Sequence, residues 1–111
     1  MRTITLMNLT SQTGTPTGDS FKTYPDHYKL TKGVNVSTSG VATFKLDDDT
    51  CTAVLEGSID GTNFVTIKSV SRAGSNVLEG HTVAIFPFMR CKVQATGNSP
   101  GADIKVDIAF S

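Results

Sequence analysis

A chain of 111 residues is the size of one ordinary domain and can bury one core but hardly two. Its ten basic side chains balance ten acidic ones, so no excess of Lys and Arg exists to draw it to nucleic acid or to an anionic membrane. Thr, Ser, Val and Gly are abundant while Leu, Ala, Glu and Gln are sparse, a mix that favours strands over helices.

The first seven residues after Arg2 alternate polar with apolar side chains, which predicts a strand over 3–9 and lacks the continuous apolar block of a secretion signal. A polar loop rich in Thr and Gly follows over 10–25; loops of that length are commonly functional, so it is the expected arm for a partner. A second strand is expected over 28–36, bent at Gly33, and Ser39-Gly40 turns the chain into a third over 41–46. There Ala42, Phe44 and Leu46 are expected inward, Thr43 and Lys45 outward. Asp47-Asp48-Asp49 makes the next turn, leading to a strand over 51–59. Asp60-Gly61-Thr62-Asn63 is the strongest hairpin signal in the chain, because Asp-Gly supplies the positive φ angles of a tight primed turn, and it joins 51–59 to a strand over 64–70.

Beyond a loop over 71–76, a strand over 77–86 is expected to be interrupted near Gly80, and Pro87, which cannot donate to a ladder, marks a corner. The strand over 88–96 points Met89, Cys91, Val93 and Ala95 inward, with Arg90, Lys92 and Gln94 outward. After a Gly- and Pro-containing turn, the strand over 103–110 has the cleanest alternation: Ile104, Val106, Ile108 and Phe110 against Asp103, Lys105 and Asp107. No window of eleven residues carries a helical period. About eight short strands give a single all-β domain, an antiparallel two-sheet sandwich of jelly-roll type, because one sheet this size would leave an apolar face in water.

Chemistry is scarce. His27 and His81 stand in no metal-ligand spacing, and no nucleophile elbow, phosphate loop or zinc-protease motif is present, so neither catalytic residues nor a cofactor is expected. The Asp47–Asp49 run admits a calcium reading. It lacks the Gly and the terminal Glu of a calcium loop, so it reads as a solvated turn and no metal is assigned. Cys51 and Cys91 fall on apolar strand faces and read as buried thiols, with a disulfide between neighbouring strands as the alternative.

The stretch Val54-Leu55-Glu56-Gly57-Ser58-Ile59-Asp60-Gly61-Thr62-Asn63-Phe64-Val65-Thr66-Ile67 resembles a hairpin of small structural proteins in tailed bacteriophage particles: apolar strand, Gly-Ser, one residue, Asp-Gly, then an aromatic. Phe86-Pro87-Phe88-Met89-Arg90-Cys91-Lys92-Val93 is similar to the strand that follows in those proteins, so the likeness covers residues 52–111. The same arrangement resembles discoidin-like carbohydrate-binding domains, but Phe64 stands where those carry Trp and the chain has no Trp at all.

The first resemblance implies a virion structural protein, foremost a capsid decoration or cement protein assembled in the host cytoplasm. Its expected partners are the major capsid protein or other virion proteins and further copies of itself, with a trimer as the expected oligomer and no nucleic acid or membrane. A tail, head-tail junction or baseplate component is the alternative, and a carbohydrate-binding module for host attachment another. Interface anchors are commonly aromatic or Arg, which selects Phe21, Tyr24, Tyr28 and Arg90.

Overall fold

The computed structural model describes residues 2–12, 15, 17–23, 39–95 and 101–110. These form eight strands: β1 (Arg2–Gln12), β2 (Phe21–Lys22), β3 (Ser39–Asp47), β4 (Cys51–Ser58), β5 (Val65–Arg72), β6 (Val77–Ala84), β7 (Phe88–Ala95) and β8 (Ala102–Phe110). One sheet has the order β1-β8-β3-β6 and the other β2-β7-β4-β5, with every pairing antiparallel. The chain is an all-β two-sheet sandwich. Among the described strands, only β4 and β5 are joined as a hairpin within one sheet, and every other pair of successive strands lies in different sheets.

Cross-strand rows of apolar side chains fill the space between the sheets. In the first sheet Met7, Val106 and Phe44 stand in one row and Leu9, Ile104 and Leu46 in the next. In the second, Val93, Ala53 and Val70 align, beside Cys91 and Leu55. All of these except Leu9 are buried. The inward faces expected for β3, β4 and β8 are the faces that close on the core, because period-two alternation sends the charged residues to the other side.

The details depart from the expectation in five places. In β1 the pairing shifts between Thr5 and Met7, so Leu6 is an extra residue and both Leu6 and Met7 are buried. The β4–β5 connection is six residues long, 59–64, rather than the four of 60–63, and it is not a primed turn, because Gly61 has positive φ (+80°) and Asp60 does not. β6 runs without a break through Gly80, which pairs with Thr43, and ends at Ala84 ahead of the corner at Pro87. Ser39 and Gly40 already belong to β3. The expected strand over 28–36 lies outside the described residues.

Fifth, the loop expected over 10–25 is in part an edge of the second sheet. Thr17 bridges to Lys92, the Gly18 N–H donates to the Cys91 carbonyl at 2.8 Å, and Phe21 pairs with Met89. Thr23 closes this run: its N–H donates to the Pro87 carbonyl at 3.0 Å and its hydroxyl to the Phe86 carbonyl at 2.7 Å. These bonds use the backbone of β7 and of the corner before it, which a side-chain pattern does not reveal.

Cys51 and Cys91 are free and buried on adjacent strands. Cys51 stands opposite Ala95 and Cys91 opposite Leu55, an offset of four residues along the ladder. At ~3.3 Å per residue this is about 13 Å, well beyond what a disulfide spans. Burial pushes both thiols up, Cys91 to about 12. Neither is expected to react with a thiol-disulfide reagent in the native protein at neutral pH, and both should react once it is denatured. A native thiol that reacts at once would contradict this packing.

Candidate functional site

The β4–β5 hairpin and the corner at Pro87 meet at one end of the sandwich, and the hairpin is built around two small polar side chains. The buried Ser58 hydroxyl accepts the N–H groups of Asp60 and Gly61 and donates to Asp60 Oδ1. Asp60 Oδ1 also accepts the N–H groups of Thr62 and Asn63, both at 2.8 Å, and Oδ2 accepts from Asn63 Nδ2 at 2.9 Å. The loop is thus a carboxylate-capped turn whose shape depends on one negative charge.

Those donors, the Asn63 and Thr62 N–H groups first, hold the Asp60 carboxyl far below the usual carboxylate range. A depressed folded pKa stabilises the fold above the ordinary value of about 4, and the contribution drains away as pH falls through the lower folded value. Asp60→Ala should therefore lower Tm at pH 7, with the deficit shrinking as both proteins are melted below about pH 4. A deficit independent of pH would show that the charge has no part in it.

Gly57 precedes this turn at a position where a side chain has no room. A Cβ there would lie 2.6 Å from the Phe86 ring and 2.7 Å from Ile67 Cδ1. The close approach lets Phe86 lie against the strand, and a shallow hollow of about 200 Å³ opens beside it, walled by Ile59, Val65 and Phe86. Ile59 is 78% exposed and Val65 53% exposed, so this end presents two large apolar side chains to solvent on a rigid hairpin.

Beside the hollow, on the outer face of the second sheet, Arg90 lies opposite Glu56. Its Nε donates to Glu56 Oε1 at 2.8 Å, and its guanidinium sits 3.8 Å from the centre of the Phe64 ring. Lys92 Nζ is 3.4 Å from the other Glu56 oxygen. Glu56 is only 5% exposed, yet both oxygens have cationic partners. Phe64, Arg90, Glu56 and Lys92 form one stack that ties the hairpin tip to β7.

The opposite end is acidic. Asp48 has a φ of +78°, and its N–H donates to Asn76 Oδ1 at 3.0 Å. A hydrogen bond with Asp103 raises the Asp48 pKa. Among the described residues no three His, Cys, Asp or Glu side chains converge to hold a metal ion. His81 contacts Glu79 Oε1 at 2.9 Å and sets its ring edge-on to Phe44.

Of the expected anchors, Phe21 is partly buried against the core of its own molecule, and Arg90 is half-buried between Glu56 and Phe64. Tyr24 and Tyr28, like His27, lie outside the described residues. The exposed pair Ile59 and Val65 was not selected from the sequence, because Ile59 continues the β4 alternation and reads as one more core residue. Its place just after Gly57-Ser58, where the strand ends, is the signal that could have identified it. Family models, curated proteins and solved structures were all compared with the chain, and none matches it.

Proposed function

We propose that this chain is an attachment protein of a tailed-phage particle, most naturally a capsid decoration protein that seats on the shell and stabilises it. The observation that carries the reading is the hairpin end: a hydrogen-bonded turn and the start of β5 hold Ile59 and Val65 in solvent beside an apolar hollow. Exposed apolar side chains on a fixed scaffold bind without an ordering cost in the loop that bears them. The likeness of residues 52–111 to small phage structural proteins supplies the kind of partner, and the formal neutrality of the chain suits a protein packed in many copies.

The test begins with purified particles run on a denaturing gel. The reading requires this chain at shell-like copy number; a single ring's worth would assign it to the tail or junction, and absence from the particle would end the proposal. Particles lacking the chain should then take up added protein. Ile59→Asp with Val65→Asp should weaken that uptake by tenfold or more, about 1.4 kcal/mol. Both positions are exposed, so Tm should move little. Unchanged uptake would remove the hairpin end from the contact.

A further inference from the structure

The first sheet ends, among the described strands, at β6, which is eight residues long. Leu78 is 77% exposed, and Glu79, Gly80, Thr82 and Ala84 are exposed as well. An edge of this length carrying an exposed Leu and no Lys or Pro is open to strand addition wherever its one inward-facing carboxylate, Glu79, meets a partner.

We propose that β6 pairs with β6 of a second copy, antiparallel about a two-fold axis at Gly80. The argument is complementarity in register. With Gly80 opposite Gly80, Glu79 of each copy stands opposite His81 of the other, Leu78 opposite Thr82, and Val77 opposite Val83. Glu79 and His81 pair with Phe44 and Ala42, whose side chains are buried, so both project toward the core side of the sheet. Within one copy they already approach to 2.9 Å. Directly opposite residues in an antiparallel pair lie ~5 Å apart, so two Glu79 and two His81 would close into one ring of alternating acceptors and imidazoles.

Neighbouring registers are poorer. A slip of one residue would set the core side of one sheet against the solvent side of the other. Centring the axis on Glu79 puts two carboxylates face to face, and centring it on His81 sets Glu79 against Val83. An isologous contact of this kind is self-limiting, giving a pair rather than a filament, and its chemistry selects a second copy over an unrelated strand. It is also independent of the hairpin end, which β6 does not contribute to.

Gly80 supplies the test. A Cβ built there meets nothing closer than 3.9 Å, so a side chain fits the single copy. In the pair, however, residue 80 of each copy faces its twin across the axis. Sedimentation velocity over a concentration series should show a monomer–dimer equilibrium. Gly80→Lys should weaken it by tenfold or more through the opposed charges, and Gly80→Ala should leave it nearly unchanged. Glu79→His with His81→Glu, which preserves the ring, should dimerise when Glu79→Lys alone does not. Melting curves of each variant establish that it is folded.

A wild-type chain that stays monomeric throughout, or a Gly80→Lys variant that dimerises as well as the wild type, would overturn the proposal. Loss of particle uptake in a Gly80→Lys protein whose parent is monomeric would assign the edge to a shell protein instead and would equally overturn it. A monomer that still decorates particles would leave the attachment role standing.

Discussion

Phe44→Ala is expected to be the most damaging single substitution in the chain, costing about 3–5 kcal/mol of folding free energy. Phe44 has no exposed surface and occupies the centre of β3, with Val106 beside it on β8 and the His81 ring 6.0 Å away, edge-on. Truncation removes the buried ring and leaves a cavity that strands on both sides cannot close, since each is fixed by its own ladder. Domains of this size have about 5–15 kcal/mol in total, so the variant should unfold at a much lower denaturant concentration with little change in slope. Val41, three residues earlier on the same strand, is 48% exposed on the opposite face. Val41→Ala should cost no more than about 0.5 kcal/mol. If the two variants unfold together, the assignment of faces in β3 is wrong, and the sandwich with it.

The faces of β3, β4, β7 and β8 were legible because burial leaves a period of two in the sequence, and β8 shows it without interruption. Even the bulge in β1 is written there: the apolar positions run Ile4, Leu6, then Met7, Leu9, a change of phase at the residue that the pairing skips. What stayed hidden depends on register or on backbone. The two-residue β2 is held by main-chain bonds to β7 and carries no pattern of its own. The β4–β5 turn looked shorter because Asp-Gly commonly makes a primed turn. Here the Asp60 side chain, which no dipeptide rule weighs, gathers four donors and stretches the loop to six residues. Arg90 was read as an outward side chain and selected as an anchor for a partner, yet its contacts here lie within its own molecule. That it serves Glu56 and Phe64 follows only once β4 and β7 are laid side by side with residue 56 opposite 90.

That pairing yields the second large effect. Arg90→Ala removes the 2.8 Å partner of a carboxylate that is 5% exposed and strips the cation from the Phe64 ring. Breaking a fully buried pair costs about 3–5 kcal/mol. Here the Arg90 side chain is 30% exposed and Lys92 still reaches Glu56 Oε2 at 3.4 Å, so about 2 kcal/mol is the expected loss. The cost arises chiefly from stranding the carboxylate, not from losing attraction as such. Glu56→Leu should therefore be milder than Arg90→Ala, and Glu56→Leu combined with Arg90→Leu should recover most of the lost stability. Additive losses in that double variant would mean that the Arg90 stack on Phe64, rather than the buried charge, holds the hairpin to β7. In that case Phe64→Leu alone should reproduce the Arg90→Ala deficit, and a pair of denaturation curves decides between the two.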